Sequence, residues 1–309
     1  MGKIDDADVT AAYEAIGEHS RARLERLLPP DWSWEGKRVL DFGCGAGRTL
    51  RHFLDEAERA EFFGCDIDGP SVAWLAEHLS PPLHVFQSGE LPELPQRDGF
   101  FDLVYAFSVF THLTDHWAGW LLELHRVLKP QGLLFATFLS EPVWRQFDQG
   151  PWDEDRVGMN VIKKWNPWDT GGPVVFHSEW WIREHWGRAF DVIALELRDP
   201  EDPEGHGAAL LRRRPERLNP RDLERPSSDP RELEALRRNV EQLHREASDL
   251  FAQLTHMSTA HENLASRLAP EEVELQRLRL ELAGIAQSRS WRLTAPLRAA
   301  AAVFRRQAD

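Results

Sequence analysis

Cysteine is nearly absent from this chain: 309 residues include only Cys44 and Cys65. Two cysteines at what read as strand ends offer no disulfide framework, and the setting they imply is a reducing, cytoplasmic one. Basic residues are also short. The 37 Lys and Arg stand against 51 Asp and Glu, a net charge of −14, which argues against a duplex nucleic-acid binder and its basic face. No apolar run reaches the length of a membrane span, and the opening "MGKIDDADVT" has no signal-peptide core. No tight cluster of His, Asp and Glu carries metal-ligand spacing, so no metal ligands are named. No repeat longer than a heptad is present.

What the chain does have is alternation. "RVLDFG", "EFFGCDID", "LHVFQSG", "FDLVYAFSV" and "GLLFATFL" read as buried strands, with helical patterns such as "GRTLRHFLDEA", "SVAWLAEHL" and "HWAGWLLELHRVL" between them. That order predicts an α/β fold with a parallel, doubly wound sheet and helices on both faces. "FDVIALEL" and "GAALLRRR" follow as an antiparallel hairpin on the sheet edge. The total is seven strands, mostly parallel, with the last one antiparallel.

In such a sheet ligands bind beyond the carboxyl ends of the strands, at the switch point. Gly43, Gly45 and Gly47, preceded by Asp41, lie at that end of the first strand. Their spacing is D-x-G-x-G-x-G. It matches neither the dinucleotide fingerprint nor the phosphate loop, so a ligand without pyrophosphate is expected. Asp66, ending the second strand, is placed to accept both hydroxyls of a ribose, and Asp68 to cap the next helix. Glu90 comes to the same edge after the third strand. Candidate bases there are His112 and Asp115 after the fourth strand, and His206 in the loop between the last two strands. His116 reads as a cap or surface residue.

"VLDFGCGAG", "GCDID", "GELPELPQRDGFFDLVYAFSVFTHL" and "ELHRVLKPQGLLFATF" resemble the class I S-adenosylmethionine-dependent methyltransferases, closest to the types called 11, 12 and 25. The resemblance covers about residues 36–140 in unbroken order. It implies a Rossmann-like fold and S-adenosylmethionine as cofactor. Asp41, Gly43, Gly45 and Gly47 would shape the methionine pocket, Asp66 with Ile67 would hold the ribose, and Glu90 with Leu91 would flank the adenine. Phe107 to His112 would floor the methyl site. The chain then divides into an N-terminal helical cap (1–35), a methyltransferase domain (36–215) with a Trp-rich insertion or lid (140–178), a Pro-punctuated linker (216–230), a coiled coil (231–288) and a basic amphipathic tail (289–309).

The insertion holds Trp144, Trp152, Trp165 and Trp168, with Trp180 and Trp181 just beyond it. Most of these suit a small core of their own; one or two at the pocket would suit the C–H face of a sugar. From Leu233 to Leu268 apolar residues alternate spacings of three and four, and Leu275, Leu278, Leu282 and Ile285 resume the pattern after Pro270. This is a heptad seam, and a homo-oligomer through 233–285 is expected. The end, "SRSWRLTAPLR", resembles the S-x-S-W-R-x-T-x-P-L-R element of bacterial enzymes that build cell-surface polysaccharide. Its arginines and Trp291 would suit an inner membrane face or a glycan-assembly partner. The expected function is O-methylation of a sugar of a surface glycan or its precursor. The alternatives are a small-molecule or natural-product methyltransferase and a non-catalytic cofactor-binding scaffold.

Overall fold

The computed structural model describes residues 6–147, 150–167, 171–202 and 205–295. They divide into two compact units, the first ending at Val240. The first runs through α1 (Asp6–Leu27), β1 (Arg38–Phe42), β2 (Glu61–Asp66), α2 (Gly69–His78), β3 (His84–Gln87), β4 (Phe101–Ala106), α3 (Trp117–Val127) and β5 (Leu128–Phe138). It continues with α4 (Glu141–Trp144), β6 (Met159–Ile162), β7 (Val174–His177), α5 (Glu179–His185), β8 (Phe190–Glu196), β9 (Gly207–Arg213) and α6 (Pro220–Glu224). Helix α7 (Pro230–Gln287) begins in this unit, and α8 (Arg289–Leu293) lies in the second.

The seven-stranded sheet has the order β3-β2-β1-β4-β5-β9-β8. Only β9 runs against the others, paired antiparallel to both β5 and β8. The order reverses between β1 and β4, which places a crevice beyond Phe42 and Ala106. Alternation along β1 explains why both faces are covered: Leu40 and Phe42 enter one core with α3 and α5, and Val39 enters the other with α1 and α2. On α3, Trp117, Trp120, Leu121, Leu124 and Val127 recur at helical spacing and are all buried. Each such side chain contributes roughly 1.5–3 kcal/mol. Cys44 belongs to one core and Cys65 to the other, so the sheet separates the two thiols.

Three expectations need correction. "GRTLRHFLDEA" is not a regular α-helix but two short 3₁₀ turns, Leu50–Phe53 and Glu56–Glu58. Gly47 holds φ +78°, and a Cβ there would lie 2.5 Å from Leu75 Cδ2, so α geometry cannot start earlier. The tighter turn then stacks Leu50 and Phe53 on one side, both in the core. Pro270 does not interrupt α7, which runs through it.

Residues 216–230 are not an open linker. Asn219 and Asp222 form a reciprocal capping box on α6, which buries Leu223. Arg188 donates to the carbonyls of Asp222, Leu223 and Arg225. The first turns of α7 also belong to this unit. Glu232 accepts from His185 Nε2 at 2.8 Å in a buried setting, and Asn239 bridges Asn160 and the Met159 carbonyl. A chain ended before Pro230 strands His185 and uncovers Trp180, over which Arg231 sits. It should lose about 3 kcal/mol or more relative to one ended after Val240. Thermal melts of the two shortened chains test this, and equal midpoints would restore the linker.

The insertion packs as its own small layer. β6 and β7 pair antiparallel, and Leu139, Trp144, Ile162 and Phe176 form a core flanked by Phe147 and Trp152. Trp180 and Trp181 join the main core instead. Trp165 is 72% exposed. Trp168 and the tail from residue 296 onward lie outside the described residues. Among the described residues no helix is long and apolar enough to cross a membrane.

Candidate active site

Beyond β1 the chain turns back sharply. Gly43 N–H and Cys44 N–H both donate to the Cys65 carbonyl, at 2.8 and 3.0 Å. Gly43 has φ +83°, and a Cβ would meet Val109 Cγ2 at 2.3 Å, so no larger residue fits. Gly45 donates its N–H to Asp66 Oδ2 at 2.7 Å, and no heavy atom lies within 4 Å of where its Cβ would stand. That open space lets a ligand approach the backbone. Asp66 Oδ1 accepts from Asp68 N–H at 2.9 Å. The carboxylate is therefore fixed from two sides, with lone pairs left for a diol. Asp68 itself caps α2 through Ser71.

A cavity of about 390 Å³ opens here. Gly43, Asp66, Ile67, Glu90, Phe107, His112 and Asp115 line it, as expected from the sequence. Ser88, Ser108, Val109, Leu113 and Trp120 also line it. Ser108 holds φ +59° and donates its N–H to Thr137 Oγ1 at 2.7 Å. A left-handed non-glycine residue at a cavity floor is the kind of strain that functional sites retain. Trp120 was legible only as core, one turn beyond His116. His116 occupies the N-cap position of α3 but makes no side-chain cap bond, and it too lines the cavity.

Other predicted residues do not line it. Leu91 is 65% exposed and turns away after Glu90. Asp41 is 2% exposed behind the loop. Burial pushes its carboxyl up to about 8, with the Tyr105 hydroxyl beside it pulling the other way. Asp41 thus lies behind the loop, its Oδ2 buried without a hydrogen-bond partner among the described residues. Gly45 and Gly47 shape the turn without lining the cavity.

His206 is the main correction. It does not line the cavity, although its neighbour Gly207 pairs with Phe138 at the carboxyl end of β5. Burial, then the charges of Arg23 and His112, lower its pKa to about 4. That makes it a weak proton acceptor. Asp115 lines the cavity but accepts from Lys164 Nζ at 3.0 Å, an ion pair at the rim.

His112 has the better geometry. Its Nδ1 lies 2.8 Å from the Pro173 carbonyl oxygen, which can only accept. Nδ1 therefore carries the hydrogen in the neutral ring, and the lone pair belongs to Nε2. The next contact of the same insertion is Val175 N–H to the Thr111 carbonyl, at 2.8 Å. Arg48 follows the glycines and makes no ion pair among the described residues. Its charge reaches Asp41, Tyr13 and His206. Among the described residues no group of three His, Cys, Asp or Glu is placed to hold a metal.

The glycine loop, the Asp66 carboxylate held by two backbone N–H groups and His112 thus meet around one cavity. Residues 40–136 match the methyltransferase domain family. The matched stretch runs from β1 into β5 and contains Gly43, Asp66 and His112.

The chain is 31% identical over 123 residues to phthiotriol/phenolphthiotriol dimycocerosates methyltransferase 1 of Mycobacterium ulcerans, covering 40% of this chain and 44% of that protein. It is 28% identical over 143 residues to malonyl-[acyl-carrier protein] O-methyltransferase of Pectobacterium atrosepticum, covering 44% and 54%. It spans about half the length of these curated relatives. An S-adenosylmethionine dependent methyltransferase structure from Mesorhizobium loti aligns with TM-score 0.49 at 19% identity, over 62% of this chain and 96% of that one.

Proposed function

We propose that the chain transfers a methyl group from S-adenosylmethionine to a sugar hydroxyl of a cell-surface glycan or its precursor. The cofactor, when bound, supplies a methyl group on a positively charged sulfur that departs as a neutral thioether. The residues present fit it. Asp66, held by two backbone N–H groups, suits the ribose diol. Ile67 and Glu90 suit the flat face and the amine of adenine. The open backbone at Gly45 and the cation of Arg48 suit the amino-acid end.

The observation that carries the reaction class is the His112–Pro173 contact at 2.8 Å on the wall of the same cavity. An oxygen nucleophile needs its proton removed as the bond to carbon forms. His112 takes that proton on Nε2, because Nδ1 is already committed to a carbonyl. Phe107, Val109 and Trp120 give the cavity an apolar wall that keeps water from competing. Alignment supplies the rest of the acceleration.

The glycan part rests on Trp165, the heptad-patterned helix and the basic tail. Trp165 is exposed on a turn that Lys164 ties to Asp115 at the cavity rim. An indole there suits the C–H face of a sugar, with the hydroxyl directed toward His112. The resemblance of "SRSWRLTAPLR" to surface-polysaccharide enzymes supports the same acceptor, and its arginines suit an inner membrane face.

Methyl transfer from labelled cofactor to extracted bacterial surface polysaccharide, beside a panel of small metabolites, tests the reading. Polysaccharide should be labelled. Trp165→Ala should raise its KM roughly tenfold, the loss of one stacked ring, with cofactor affinity unchanged. Label confined to small metabolites would move the acceptor class. Bound cofactor with no transfer to anything would leave a scaffold.

A further inference from the structure

The second unit is carried by the helical stretch from Glu241 to Gln287, with no core of its own. Leu243, Leu250, Leu254, Met257, Leu264 and Leu268 lie along one stripe, and Leu275, Leu278, Leu282 and Ile285 extend it. All ten are 44–66% exposed. Because α7 continues through Pro270, the seven-residue phase is kept: Leu268 and Leu275 are one heptad apart on the same stripe. Only Ala247, His261 and Glu271 break the run of large apolar residues. A continuous seam of about 60 Å, at 1.5 Å per residue, follows.

The charges beside the seam select the partner and its direction. Arg267, Glu274 and Glu281 fall at the g positions, and Glu272 and Arg279 at the e positions. In a parallel pair, each g residue faces the e residue five positions further along the other chain. Arg267 then meets Glu272, and Glu274 meets Arg279, on both sides of the seam. Arg267, Glu272 and Arg279 make no ion pair among the described residues. Glu274 holds only Arg277 of its own helix, at 2.7 Å. An antiparallel pair over the same stretch sets Glu281 against Glu246 and gives neither arginine a carboxylate.

We infer that residues 243–285 pair with a second copy of this chain, parallel and in register, as a two-stranded coiled coil. The inference is independent of the methyl-transfer reading, since it uses no residue of the active site. Its consequence is that both tails beginning at Ser288 leave the same end of the coil.

The full-length chain tests it. Light scattering during size-exclusion chromatography should give the mass of two chains. Leu268→Cys, oxidised, should link nearly all chains into covalent dimers, because only a parallel, in-register seam puts position 268 opposite itself; Cys44 and Cys65 are buried and should not link. Arg267→Glu should weaken association about tenfold, and adding Glu272→Arg should restore it. A monomer, a three-chain mass, failure of Leu268→Cys to link, or indifference to the charge reversal would each overturn the inference.

Discussion

Turnover in the His112→Ala variant is expected to fall by roughly 100- to 10,000-fold, the usual span for loss of a general base. Affinity for S-adenosylmethionine should stay within about twofold, since His112 makes none of the ribose or amino-acid contacts. The size follows from the tautomer. Pro173 offers only a carbonyl to Nδ1, so the neutral ring keeps its hydrogen there and its lone pair on Nε2. Asp115 cannot replace it readily, being paired with Lys164, and His206 is a weak base off the cavity wall. Single-turnover rates with saturating cofactor make the measurement. Near-normal turnover would remove His112 from the chemistry and return Asp115 to consideration.

Asp66→Ala should have the next largest effect, this time on binding. The variant loses the acceptor for the ribose diol and also strands the N–H groups of Gly45 and Asp68. Hydrogen bonds to a charged group contribute about 1.5–3 kcal/mol each. Cofactor affinity should therefore fall by roughly 10- to 150-fold, and the glycine loop should loosen with it. Calorimetry with S-adenosylmethionine and with its demethylated product reads the loss. Unchanged affinity for both would take Asp66 out of the site.

Much of this was legible because it depends on short-range pattern. Buried strands announce themselves as apolar runs, and Asp66 stands one βα step from the glycines, where the fold must bring it. The rest depends on contacts that sequence does not encode locally. The partner of His112 is a backbone carbonyl 61 residues away, which no residue type signals. His206 does lie in the loop before β9, but the burial that makes it a weak base comes from packing that no neighbouring residue type signals. Leu91 could be ranked beside Glu90 only by adjacency, and the turn points it to solvent. The segment 216–230 looked like a linker because prolines and charges dominate it. Its Asn-Pro-Arg-Asp signature is nonetheless a helix start, and Leu223, with Leu218 packed beside the same core, anchors the segment.

The insertion between β5 and α5 carries the exposed indole of Trp165 and also the carbonyl of Pro173. One grafted segment thus combines the surface that would select an acceptor with the atom that sets the protonation pattern of His112. A chimera that exchanges residues 140–178 for those of another methyltransferase does not alter specificity alone. Unless the new segment returns a carbonyl to His112 Nδ1, the chimera also loses the orientation of its base. If the proposed roles of Trp165 and His112 hold, acceptor choice and catalytic competence depend on one segment, and a library built to change one must retain the other.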